Sequence, residues 1–250
     1  MKSKFFTPLL AAVLSLGVTS AFGQDDSQLQ ASVQKALNGS KYSAVHGSVQ
    51  NGTVTLSGSV DVYDLKEQID HKIHRIKGVK AVENDIQVAG PEVPDQELQD
   101  KLAKAIEYDR VGYGTTAFNA VSVNVRNGVV TLGGHAYGPV DADSAAAVAA
   151  NTKGVKDVVN EIQVDPLSPM DDRTRIAVFR SVYGFPSLNK YAIDPGKPIR
   201  ISVQSGNVTL YGVVDSQADK DAAGIRANSV PGVFHVSNEL QVANPQPEKK

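Results

Sequence analysis

Glu67, Asp70, His71 and His74 are the side chains best spaced for chemistry in this sequence. On a helix, positions i, i+3 and i+4 share a face, so Glu67, His71 and His74 have the spacing of a metal site. The same stretch carries Lys66, Lys72, Arg75 and Lys77, which favours a solvated, mixed-charge face instead. His46 and His235 have no acid or nucleophile beside them in sequence. No Gly-x-Ser-x-Gly elbow and no GxxxxGK[ST] phosphate loop is present. Gly112-Tyr113-Gly114 is a lone glycine pair, read as a flexible turn. The chain has no cysteine, which removes thiolate nucleophiles, disulfides, Fe–S clusters and Cys-based zinc sites together. The residues therefore assign no catalytic group, no metal and no cofactor, and the chain is read as a non-enzyme.

An internal repeat organises the sequence. Val49-Gln-Asn-Gly-Thr-Val-Thr-Leu-Ser-Gly58 aligns with Val125-Arg-Asn-Gly-Val-Val-Thr-Leu-Gly-Gly134 and with Val203-Gln-Ser-Gly-Asn-Val-Thr-Leu-Tyr-Gly212. A Gly-Val pair follows each block at Gly78, Gly154 and Gly232. Each pair leads to Asn84-Asp-Ile-Gln-Val88, Asn160-Glu-Ile-Gln-Val164 or Asn238-Glu-Leu-Gln-Val242. The spacing from the turn glycine (Gly52, Gly128, Gly206) to the second glycine is the same in all three copies. Self-similarity of this kind marks a supersecondary unit written out three times. Pro-rich stretches, Ala89–Pro94 and Asp165–Pro169, separate the copies.

Each copy predicts the order αββαβ. A first helix is signalled by Leu29, Val33 and Leu37, by Leu98, Leu102 and Ile106, and by Ile176, Phe179 and Tyr183. Ser27 with Gln30 has the pattern of a capping box. Alternating strands follow, such as Val121-x-Val123-x-Val125, and period two implies a sheet with one buried face. Asn51-Gly52 and Asn127-Gly128 predict type I′ turns, with Ser205-Gly206 a weaker version. The second helix carries Ile69, Ile73 and Ile76, or alanines in the later copies. Asn84, Asn160 and Asn238 recur at one strand position, and a structural hydrogen bond is favoured over a ligand contact there. The six repeated glycines (Gly52, Gly78, Gly128, Gly154, Gly206, Gly232) are read as turn positions. The fold class is α+β: three tandem modules at 25–89, 94–165 and 170–243, each a three-stranded sheet with two helices on one face.

These blocks resemble the BON domain of bacterial envelope proteins. The hairpin block with V-T-L-x-G, the Gly-Val pair and the terminal N-x-[IL]-x-V strand carry the resemblance over nearly the whole chain after residue 24. It implies a periplasmic or outer-membrane location and binding rather than catalysis, with phospholipid membranes as the commonly proposed ligand. It supplies no universal binding residue. The alternative is a protein- or cell-wall-binding adaptor in an envelope or secretion complex.

Export is expected from the N-terminus. Lys2 and Lys4, the apolar run Phe5–Val18 and Ala21-Phe22-Gly23 have the layout of a signal peptide, with a cut after Gly23. The run is too short for a membrane span, so the protein is expected to be peripheral rather than transmembrane. Residues 244–250, with two prolines, are expected to be a disordered tail. Only Lys2 and Lys4 are charged before the cut, which leaves 23 of the 25 basic and all 27 acidic residues. That balance does not suit nucleic acid.

The basic residues concentrate in the third copy: 10 against 8 acidic residues in 167–250, compared with 6 against 11 in 91–166. Arg173, Arg175 and Arg180 fall on its first helix, and Lys190, Lys197 and Arg200 in the long connection after it, interleaved with Phe185 and Tyr191. Arginine and lysine attract anionic headgroups, and aromatic rings settle at the membrane interface. Phe185, Lys190, Tyr191, Lys197, Arg200 and Arg173 are therefore the candidate contacts for anionic phospholipid, with envelope proteins the other class of partner. The sequence leaves the oligomeric state open.

Overall fold

The computed structural model describes residues 22–243 apart from 167 and 195. The signal peptide expected at 1–23 lies outside these residues except for Phe22 and Gly23, and the tail at 244–250 lies outside them entirely. No helix among the described residues is long and apolar enough to cross a membrane.

The first repeat runs α1 (Phe22–Leu37), β1 (Val45–Gln50), β2 (Thr53–Val60), α2 (Tyr63–His74), β3 (Ala81–Asn84) and β4 (Gln87–Val88). β1 and β2 form an antiparallel hairpin, and β2 pairs in parallel with β3 and then with β4. The parallel pairing requires a crossover, which α2 supplies. Leu29, Val33 and Leu37 of α1 meet Ile69 and Ile73 of α2 over Val54 and Leu56 in one core, so both helices cover one face of the sheet. Since α1 begins at Phe22, Ser27 lies inside the helix and is not its N-cap.

The second repeat is α3 (Asp95–Asp109), β5 (Ala120–Arg126), β6 (Val129–Ala136), α4 (Pro139–Ala150), β7 (Asp157–Asn160) and β8 (Gln163–Val164). The third is α5 (Pro169–Tyr183), β9 (Arg200–Gln204), β10 (Asn207–Tyr211), β11 (Val213–Val214), α6 (Gln217–Asn228), β12 (His235–Asn238) and β13 (Gln241–Val242). Both repeat the pairing of the first, with sheet orders β5-β6-β7 and β12-β10-β9. The protein is thus an α+β chain of three like units.

The third strand of each repeat is interrupted. In the first, Asp85 donates its amide to Leu56, and pairing resumes at Gln87. The recurrent asparagine bridges the break: Asn84 Oδ1 accepts from Ile86 N, Asn160 Oδ1 from Ile162 N, and Asn238 Oδ1 from Leu240 N. Asn84 and Asn238 also donate to α2 and α6, at Asp70 and at the Lys220 carbonyl. These bonds tie the strand break to the helix above it.

All three hairpin turns are left-handed at both central residues. Ser205 (φ 50°) and Gly206 (φ 77°) match Asn51 and Gly52. The last glycine of V-T-L-x-G has a different task. Gly134 (φ 83°) lies so close to the neighbouring strand that a Cβ would stand 2.1 Å from the Ala120 carbonyl oxygen. Gly58 and Gly212 make the same approach, to Ala44 and Pro198.

The third repeat departs from the sequence expectation in two ways. The buried face of α5 is Arg175, Val178, Val182 and Tyr183, with Phe179 packed partly buried against the same core, whereas Ile176 is exposed. Tyr183 and Phe179 therefore face inward as expected, while Ile176 yields its place to Arg175. In addition, Ile201, Ser202 and Val203 of β9 are all buried, so this strand is covered on both faces. The cause is the second repeat, whose β5 and residues 116–118 pack against β9.

Candidate functional site

The second and third repeats join through a buried polar junction. Asp165, just past β8, is almost fully buried and accepts from the Val203 amide at 3.3 Å and from Gln204 Nε2 at 3.1 Å. His135 Nδ1 lies 3.1 Å from Asp165 Oδ1. Arg175, on α5, is fully buried and holds Asp172 at 2.7 Å, the Val203 carbonyl at 3.1 Å and Asp165 at 3.8 Å. Its guanidinium lies 5.1 Å from the Tyr137 ring, and the Tyr137 hydroxyl donates to Asp172 at 3.1 Å. Burial and the neighbouring Asp172 push the Tyr137 phenol above its ordinary pKa, so it stays a donor.

A second set of contacts lies at the other end of β9. Arg200 Nη1 donates to the carbonyls of Thr116 and Asn119, at 2.9 and 2.7 Å. Phe118, from the second repeat, packs into the core of the third, edge-on to Phe179. On the second repeat's side, Asp141 gathers Arg110, Thr115 and Asn119 and so fixes the ends of the connection that carries Phe118.

The six candidate lipid contacts differ in exposure and in partners. Arg173 and Lys197 are exposed, and Phe185 is partly exposed beside the Arg226 guanidinium. Lys190 is exposed but held by Asp215 at 2.7 Å and Asp219 at 3.0 Å, and these bonds raise its pKa. Tyr191 is buried; its hydroxyl donates to Asp219 and accepts from the Asp215 amide. Arg200 is committed to the junction. Arg173 lies in the first half of α5, whereas Phe185 follows its C-terminal end. Arg175, expected with the solvated arginines, is the most deeply buried cation here. At the other early candidate, His71 Nε2 lies 4.0 Å from Glu67, while His74 turns back to Asp70 at 3.1 Å. No group of three metal-ligating side chains occurs among the described residues.

One recurrent device had no fixed spacing to reveal it. A carboxylate near the start of each first helix accepts both amides of the hairpin turn. Asp26 takes Asn51 and Gly52, Asp95 takes Asn127 and Gly128, and Asp171 takes Ser205 and Gly206. Successive left-handed residues aim their N–H groups at one point, which makes a small anion cradle. The copies differ in helix-to-turn distance, so no regular interval marks the pair.

Burial of Asp171 favours its neutral form. The bonds from Gly206, Ser168 and Ser205 and the charge of Arg175 outweigh this and hold its pKa below the ordinary value. A depressed folded-state pKa stabilises the fold above the unfolded value of ~3.9, and that gain is lost as pH falls through the folded-state pKa. Asp171→Asn should therefore cost about 1–3 kcal/mol at neutral pH. In urea titrations at stepped pH, its deficit against wild type should shrink below about pH 4. A deficit that persists undiminished at low pH would count against the cradle.

Helix-backed, three-stranded sheets repeated thrice and docked through their connections define a tandem α+β repeat protein. The chain belongs to the BON domain family, whose model matches residues 25–90, 94–166 and 187–244. The third match omits α5, which the structure packs as the first helix of that repeat. The chain is 31% identical over 132 residues to the osmotically-inducible protein Y of Escherichia coli (strain K12), a match covering 48% of this chain and 61% of that protein. This chain thus spans less than two thirds of that relative. It is 27% identical over 143 residues to an uncharacterized protein in the gshII 5′ region of Anaplasma centrale, covering 56% of this chain and 95% of that one. Among solved structures, CdsD, a structural protein of the type III secretion system of Chlamydia trachomatis, aligns with 88% of this chain and 94% of its own at 16% identity and a TM-score of 0.22.

Proposed function

We propose that this protein is a non-catalytic component of the bacterial envelope, resident in the periplasm, that associates peripherally with anionic phospholipid surfaces through its third repeat. The distribution of exposed apolar side chains carries this reading. Among the described residues the first repeat exposes no large hydrophobic side chain. The third exposes Met170, Ile176, Phe185, Ile193, Val213, Ile225 and Phe234, with Phe234 at 81% and Ile193 at 78%. The same repeat holds the basic surplus, including exposed Arg173 and Lys197. Exposed apolar and basic groups on one module suit an interface that is apolar below and anionic above. The osmotically-inducible relative supports a role in envelope stress.

Co-sedimentation with vesicles tests this. The full chain should pellet with vesicles rich in anionic lipid and not with zwitterionic ones, and binding should weaken as salt rises. Each basic residue near such a surface contributes about 1 kcal/mol, so Arg173→Glu with Lys197→Glu should weaken binding at least tenfold. Equal pelleting with both vesicle types would overturn the reading, and capture of an envelope protein by cross-linking would replace it with the adaptor reading.

A further inference from the structure

The connection between first helix and first strand differs among the repeats. It spans 38–44 in the first, 110–119 in the second and 184–199 in the third. The two longer connections face each other across a cleft of about 360 Å³. Phe179, Tyr183 and Tyr191 form an aromatic wall, with Val111, Ala117 and Pro198 completing the apolar lining. This volume falls within the ~300–1,000 Å³ range of small-molecule pockets. Tyr113 and Ile193, one from each connection, stand nearby at 67% and 78% exposure.

The mouth is acidic. Asp194 lines the cleft and accepts from the Gly196 amide at 2.9 Å. A methyl group built on Gly196 would lie 3.3 Å from Asp194 Oδ1 and 3.4 Å from Oε2 of Glu107, which lines the neighbouring hollow beside Arg200. Tyr108 donates to Asp194 at 3.3 Å across the junction. Among the described residues neither carboxylate has a cationic nitrogen within 4.0 Å. Arg200 offsets part of the charge of Glu107, but its Nη1 is spent on two carbonyls. Burial, and the like charge of Asp194, hold Glu107 above the ordinary carboxylate pKa despite Arg200. An apolar cleft lined by one carboxylate with no cation paired to it, Asp194, is complementary to a cation on an apolar body.

We propose that this cleft binds a small molecule with an apolar body and one ammonium head, the body against Phe179, Tyr183 and Tyr191 and the head at Asp194. This ligand is opposite in charge to the anionic surface proposed above, and the two readings stand or fall separately. The test is isothermal titration of the full chain with octylammonium and with octyl sulfate, both below micelle formation. Octylammonium should bind at a single site at least about tenfold more tightly, the scale expected of one partly screened ion pair. Ala192→Phe, at an exposed lining position, should abolish saturable binding. Asp194→Asn, also exposed, should erase the preference for the cation. Thermal melts matching wild type would show that both variants fold. Octyl sulfate binding as tightly as octylammonium to the wild-type chain, or no saturable heat from octylammonium, would overturn the proposal, as would undiminished binding by Ala192→Phe.

Discussion

Arg175→Ala lowers the unfolding free energy of the joined second and third repeats by about 3–5 kcal/mol, the usual cost of removing one partner from a buried ion pair. The substitution leaves Asp165, almost fully buried, without the wholly buried guanidinium beside it. It also frees the Val203 carbonyl and the Asp172 carboxylate from their guanidinium bonds and opens a void beneath Tyr137. Arg175→Met separates packing from charge. Methionine keeps much of the volume and removes Nε, a buried donor with no partner. An orphaned donor costs about 1–3 kcal/mol, so Arg175→Met should be distinctly milder than Arg175→Ala. Adding Asp165→Asn to Arg175→Met should recover part of the remaining loss, because it removes the carboxylate left unpaired. Urea denaturation followed by circular dichroism reads all three. An Arg175→Ala chain within 1 kcal/mol of wild type would show that the junction contributes little. In that event the second and third repeats should also unfold in separate steps.

Gly134→Ala is the second large effect, at about 2–5 kcal/mol. A left-handed backbone costs an alanine about 1–2 kcal/mol, and forcing a methyl group into a filled site adds about 1–3. Here the methyl would meet the Ala120 carbonyl at 2.1 Å, backbone on backbone, with no flexible side chain to yield. Gly114→Ala is the control. Gly114 has nearly the same φ, 77° against 83°, but nothing lies within 4 Å of its would-be Cβ. It should lose only the conformational part, about 1–2 kcal/mol. Thermal melts of the two variants side by side would measure the difference. Equal losses would mean that φ alone, and not the close approach of the strands, sets the need for glycine in V-T-L-x-G.

Much of each repeat was legible locally. Asn51-Gly52 and Asn127-Gly128 have few conformations open to them, and Leu29, Val33 and Leu37 can share only one helix face. The alternation around Val123 and Val125 allows one strand parity. Such features depend on residues a few positions apart, where covalent geometry limits the choices. The burial of Arg175 on α5 was not legible, because an arginine at the centre of a helix normally marks its wet side. Arg175 lies inward only because Asp172, one turn before it, and Asp165, from the preceding repeat, compensate its charge. Ser202, an outward position if β9 alternates like the other strands, is buried by a neighbour that the pattern of β9 does not encode.

The sequence by itself determined the threefold unit, its α+β class and the turns within it, since these follow from short-range spacing and backbone sterics. The tertiary structure decided which side chains remain free to bind. It withdrew Tyr191 and Arg200 into the protein, tied Lys190 to two aspartates and left Phe234 and Ile193 in water. Exposure depends on what a distant part of the chain places against a residue, and docking of one repeat on the next is a sum of long-range contacts with no periodic signature.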